Sequence, residues 1–184
     1  SQSASAIMHS RPPSFSDPGW TTILTGAWPE INDSQLFNPP DNDSVRKFTQ
    51  DDIFASAHRE GLSTAASGYS WFSQMLANSG VTSSFYTSGE DNSADIQVVT
   101  AAKSWFSVDY QLILIHLDQV DYAGHHEGGP QGPAWNTAAS RVDRMLADIA
   151  GQMNLSKETL LLISDHGQIN QGGHGGPEAI TLLE

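Results

Sequence analysis

The sequence predicts an α/β fold, a mostly parallel sheet sandwiched by helices, and three observations carry that reading. Tyr110–Leu117 (YQLILIHL) is a continuous apolar, β-branched run, the mark of a strand buried on both faces. Thr159–Ser164 (TLLLIS) is a second such run. Between them, Pro133–Met153 carries Val142, Met145, Leu146, Ile149 and Met153 on one helical face with charges elsewhere. Strand, helix, strand in that order is a βαβ unit, which requires a parallel sheet.

The remaining elements follow in chain order. Ser16–Gly26 is a short helical stretch with Pro18 in its first turn and Gly26 at its end. Residues 27–47 are rich in Pro, Asn and Asp and read as an irregular excursion. Phe48, Ile53, Phe54 and Ala57 recur at near-helical spacing, which predicts a helix over 49–60 stopped by Gly61. Leu62–Ser67 reads as a strand, Trp71–Asn78 as a helix and Val81–Tyr86 as a strand. Ile96, Val99, Ala102 and Phe106 predict a helix over 93–106. The segments after the two apolar strands, from Asp118 and from Ser164, read as glycine-containing loops.

At 184 residues the chain is expected to form one domain over 1–184. Eight Lys and Arg stand against 21 Asp and Glu, a formal charge of −13. That surface repels phosphate backbones, so binding to a nucleic-acid polymer is not expected. Carboxylates still handle an anionic ester where metal ions supply positive charge. The absence of cysteine removes disulfides, thiolate zinc sites and cysteine nucleophiles. No apolar stretch approaches the ~20 residues of a membrane span, and no secretory leader pattern opens the chain.

Chemistry concentrates in three places. Ligands of open α/β sheets bind beyond the carboxyl ends of the strands, where both apolar strands deliver carboxylates and imidazoles. After the first come Asp118, Asp121, Gly124, His125, His126 and Glu127; after the second come Asp165, His166, Gly167 and then His174 between glycines. Oxygen and imidazole donors without thiolate suit Zn²⁺ or a similar divalent ion. The third place is Ser16. It is either a helix N-cap or a nucleophilic hydroxyl at a helix N-terminus, where amides and dipole favour a phosphate.

Together these segments resemble the alkaline phosphatase superfamily, in its type I phosphodiesterase/nucleotide pyrophosphatase branch. Ser16–Gly26 with Trp28-Pro29-Glu30 is similar to the family's nucleophile segment. Asp121-Tyr-Ala-Gly-His125 resembles its Asp-x-x-Gly-His motif, and Ser164-Asp165-His166-Gly167 its Ser-Asp-His-Gly motif. His174-Gly175-Gly176 is similar to the arrangement in glycolipid-anchor phosphoethanolamine transferases.

The resemblance implies an alkaline-phosphatase-like fold and a metal-dependent phosphodiesterase acting on a small phosphoester. It further implies two divalent metal ions, zinc in the family, one on Asp121, His125 and His174 and the other on Asp165, His166 and the nucleophile Ser16. The alternatives are a phosphoethanolamine-type phosphotransferase and a metal-binding module without turnover. The family's first strand ends in a ligating Asp, and the fifteen residues before Ser16 contain none. A fragment lacking that strand and the family's C-terminal part, weakly active or inactive alone, is therefore expected. Gly19 stands where many nucleotide pyrophosphatases carry an Asn phosphate contact.

Among the other residues, His116 reads as a core histidine, His126 and Glu127 as solvent-facing, and Asp118 as a group behind the ligands. Arg11 reads as a surface residue. Trp20 and Trp28 stand close enough in sequence to Ser16 to line a substrate site.

Overall fold

The computed structural model describes residues 3–8, 11, 14–28, 31, 48, 50–130, 132–169 and 173. In chain order the elements are α1 (Ser16–Thr25), α2 (Ile53–Arg59), β1 (Thr64–Tyr69), α3 (Trp71–Met75), β2 (Ser83–Thr87), α4 (Asn92–Lys103), β3 (Leu112–Ile115), α5 (Gln119–His126) and α6 (Pro133–Gln152). The strands form a parallel sheet of order β2-β1-β3. The chain steps from β1 to one neighbour and then crosses back to the other side, and such a reversal opens a crevice at the carboxyl edge of the sheet.

Small side chains make β1 the centre. Ala65, Ala66 and Ser67 are buried, and Ser67 Oγ donates to the Val98 carbonyl of α4 at 2.8 Å. A hydrophobic cluster of Trp20, Leu24, Phe54, Ala66, Phe72 and Met75 joins α1, α2, β1 and α3. Burying a side chain such as Leu24 of α1 in this cluster is worth about 1.5–3 kcal/mol, which fastens α1 to the core. Asp52 caps α2, accepting from the Phe54 and Ala55 amides at 2.8 and 3.0 Å and from Ser79 Oγ at 2.6 Å. Pro133 opens α6 after Gly132, a position where its missing N–H costs nothing.

The parallel α/β class and the predicted strands at 62–67, 81–86 and 110–117 hold, with edges displaced by about two residues. Most of the predicted excursion at 27–47, and position 49, lie outside the described residues.

Two expectations are corrected. The segment after β3, read as a loop, is the helix α5. Thr159–Ser164, read as a buried strand, is assigned to no ladder among the described residues, and Leu161 and Leu162 stand 74% and 68% exposed. An apolar run records a need for burial; a strand also needs a neighbouring strand to take its amides and carbonyls.

Candidate active site

Helix α1 places Ser16 at its first turn. Phe15, with extended backbone, is the N-cap residue and makes no side-chain cap bond, so Ser16 is not the cap. Its hydroxyl instead meets His166 Nε2 at 3.0 Å, across 150 residues of chain. The approach depends on Gly19: a Cβ there would overlap the Asp165 backbone carbonyl. The glycine that departs from the nucleotide pyrophosphatase pattern is thus the one that lets α1 lie against the Ser164–Gly167 segment.

The tautomer of His166 follows from its other nitrogen. Nδ1 lies 3.0 Å from the Gly167 carbonyl, and a carbonyl oxygen only accepts, so Nδ1 carries the proton. Nε2 then accepts the Ser16 hydroxyl hydrogen. His166 is only 8% exposed, and Ser164 Oγ donates to its carbonyl at 2.6 Å.

Helix α5 places Asp121 and His125 one turn apart on a single face, with His125 Nε2 3.4 Å from Asp121 Oδ2. The start of α5 is held from α4. The Asp95 carboxylate accepts the Asp118 amide at 2.9 Å, the Gln119 amide at 3.2 Å and Gln119 Nε2 at 2.9 Å. Asp95 is 1% exposed; burial raises its pKa and these donors oppose the rise.

The two motif segments meet at His166, whose Nε2 lies 3.6 Å from Asp165 Oδ2 and 3.9 Å from Asp121 Oδ1. Gln168 Nε2 donates to the same Asp121 Oδ1 at 2.6 Å and to the Asp121 carbonyl at 3.1 Å. Burial pushes the Asp165 carboxyl up, with the His166 imidazole opposing and Asp121 adding to the rise. Asp118 is raised well above the usual carboxylate range, first by burial and then by Asp121, Glu90, Asp95 and Asp165. A concentration of half-buried carboxylates of this kind favours a cation.

The donor types and spacings suit one. Two ligands of a tetrahedral zinc ion, with bonds of about 2.0–2.2 Å, stand roughly 3.3–3.6 Å from each other. The His125–Asp121 and His166–Asp165 separations of 3.4 and 3.6 Å have that width. Among the described residues no three or more His, Asp or Glu side chains close into one metal cage. His174 lies outside the described residues.

The structure therefore brings Ser16, Asp121, His125, Asp165 and His166 to one edge. His116 lies behind them, half-buried with its Nδ1 enclosed, edge-on to Trp20 at 5.2 Å and tilted against Phe72 at 5.0 Å, its pKa lowered to about 4 by burial. Trp20 is buried in the core cluster. The Arg11 guanidinium lies over the Trp28 ring at 4.2 Å, beyond the opposite end of α1 from Ser16.

Asp95 and Gln168 escaped the sequence reading. Asp95 sits on a helix 23 residues before the amide it anchors, and Gln168 reaches Asp121 across 47 residues. No local pattern signals either contact.

Comparison with known proteins gives this edge its context. GPI ethanolamine phosphate transferase 2 of Yarrowia lipolytica is 26% identical over 178 residues, covering 93% of this chain and 20% of that protein. The protein of the same name from Candida albicans is 25% identical over 175 residues, 91% of this chain and 20% of the relative. That of Candida glabrata is 21% identical over 204 residues, 93% of this chain and 22% of the relative. The chain thus spans about a fifth of the length of these relatives. Among the described residues no helix is long and apolar enough to cross a membrane. The family model described as type I phosphodiesterase / nucleotide pyrophosphatase matches residues 1–171. That match runs through α1, α5 and the Ser164–Gln168 segment that meet at the carboxyl edge of the sheet, and the chain belongs to the type I phosphodiesterase/nucleotide pyrophosphatase family.

Proposed function

We propose that this chain carries the reaction centre of a phosphodiester-cleaving phosphotransferase, with Ser16 as nucleophile and a phosphoethanolamine-type group as the transferred unit. The observation that carries it is the Ser16 Oγ–His166 Nε2 contact of 3.0 Å beside Asp165 and Asp121. The transferase reading takes precedence over hydrolysis because three relatives matched along nearly the whole chain are named as ethanolamine phosphate transferases.

In this reading His166, its tautomer set by Gly167, accepts the Ser16 hydroxyl hydrogen at Nε2 in the metal-free chain, and that same lone pair is the one it would turn to the second cation. The N-terminus of α1 presents the positive end of its dipole to the incoming phosphate. Ser16 Oγ forms a bond to phosphorus while the bond to the leaving alcohol breaks with its electron pair. The leaving oxygen takes up the proton that Ser16 Oγ gives up and departs as a neutral alcohol. A second alcohol then attacks phosphorus and gives up its own proton, the Ser16 Oγ–phosphorus bond breaks with its electron pair, and Ser16 Oγ takes that proton. When water is the acceptor, the same two steps are hydrolysis. One divalent cation would be held by Asp121, His125 and His174 and a second by Asp165, His166 and Ser16, zinc being the metal the family resemblance favours. When bound, such cations supply the charge that lowers the hydroxyl pKa and neutralises the leaving oxygen.

The test is a single-turnover reaction of the zinc-supplied chain with p-nitrophenyl phosphoethanolamine, with and without glycerol. Release of nitrophenol with product diverted to glycerol phosphoethanolamine is expected. Free phosphoethanolamine as the sole product at high glycerol would replace transfer by hydrolysis. No release at all, with zinc bound, would leave a metal-binding module without turnover.

A further inference from the structure

We infer that Gln168 is a positioning residue for the Asp121 carboxylate, and that Gly124 is glycine in order to admit it. The inference builds on the proposed role of Asp121. A carboxylate only accepts hydrogen bonds, so the amide nitrogen of Gln168 faces it. Nε2 holds Asp121 twice, through Oδ1 at 2.6 Å and through the backbone carbonyl at 3.1 Å. Those two bonds fix the carboxyl plane: Oδ1 is turned toward His166 and Oδ2 toward His125, at 3.9 and 3.4 Å. One side chain therefore ties the Asp-x-x-Gly-His helix to the Ser-Asp-His-Gly segment and sets how Asp121 divides its oxygens between the two histidines.

The other end of the same carboxamide explains Gly124. A Cβ at Gly124 would coincide with Gln168 Oε1 and crowd its Cδ and Nε2. Gln168 Oε1 is buried with no hydrogen-bond partner among the described residues, a cost consistent with the amide being placed for what its nitrogen does. An added methyl would push the flexible carboxamide aside and break its hold on Asp121. Gly124 is inside α5, where alanine is by itself the better helix former, so the helix alone gives no reason for glycine.

The experiment is a double-mutant cycle on the 184-residue chain, Gln168→Ala, Gly124→Ala and the pair. It is read by zinc titration against a chromophoric chelator and by the imidazole C–H NMR resonances of His125 and His166 without metal. Each single change is expected to weaken zinc binding about tenfold, the lower end of the range for losing a group that orients a ligand. Each should also shift both histidine resonances in the metal-free chain. Gly124→Ala should add less than twofold in the Gln168→Ala background, because the clash is gone. Independent, multiplying effects, or unmoved histidine resonances in Gln168→Ala, would overturn the inference. Absence of zinc binding by the unaltered chain would instead count against the metal roles proposed for Asp121 and His125. The histidine resonances would still decide the positioning role.

Discussion

At the scale of single residues, the chemistry turns on small differences in what a side chain meets. Gly19 and Gly151 both lie in helices, yet a Cβ at Gly19 would strike the Asp165 backbone while one at Gly151 meets nothing within 4 Å. Gly19→Ala should therefore destabilise by about 1–3 kcal/mol and separate Ser16 from His166. Gly151→Ala should stabilise by about 0.5–1 kcal/mol. Urea unfolding of the two variants checks both signs. His116 gives a pH signature. Burial lowers its pKa from 6.5 to about 4, so between those values the unfolded chain binds a proton that the folded chain refuses. Its contribution to stability is complete above pH about 6.5 and is lost as the pH falls toward 4. The carboxyls of buried Asp95 and of half-buried Asp118 and Asp165 are shifted upward and act in the opposite sense. The comparison is therefore differential: His116→Leu should lose less urea midpoint between pH 7 and pH 5 than the unaltered chain. An equal loss would show that this imidazole titrates normally.

At the scale of elements, the site is a junction of three pieces, each held from outside itself. Asp95 on α4 satisfies the first amides of α5, the groups a helix start leaves without intrahelical partners. Asp95→Ala should cost about 2–4 kcal/mol, because buried N–H groups lose their acceptor, and should reduce helix protection at Asp121 and His125 in hydrogen exchange. Unchanged protection there would remove Asp95 from the account. The same junction explains what the sequence made legible. The apolar run in 110–117 and the helical face in 133–153 specify burial directly, and both elements stand where periodicity puts them. Asp121, His125, Asp165 and His166 are readable as candidates because carboxylate and imidazole follow directly on two apolar runs of the sequence. Helix α5 was not readable, since a stretch of Asp, Gln, Gly and His carries loop composition and its start is secured by a side chain from α4. Gln168 was invisible for the same reason: its partner lies on another element.

At the scale of the whole molecule, a chain of charge −13 gathers carboxylates at one sheet edge while leaving an apolar strip elsewhere. Leu160, Leu161 and Leu162 are 40%, 74% and 68% exposed, on a segment whose composition suits a buried strand. Exposed apolar strips of this kind favour association and dye binding. Leu161→Lys should lower the fluorescence of bound anilinonaphthalene sulfonate without lowering the melting temperature; unchanged fluorescence would place the dye site elsewhere. We propose as the central claim that the fold joins Ser16 to His166 so that Ser16 forms a covalent phosphoryl-enzyme. Its most direct test is mass spectrometry of the zinc-supplied chain, acid-quenched during reaction with p-nitrophenyl phosphoethanolamine. A phosphoethanolamine adduct on the peptide containing Ser16, absent from Ser16→Ala, is expected. Turnover by Ser16→Ala at the unaltered rate, or an adduct on any other residue, would contradict it.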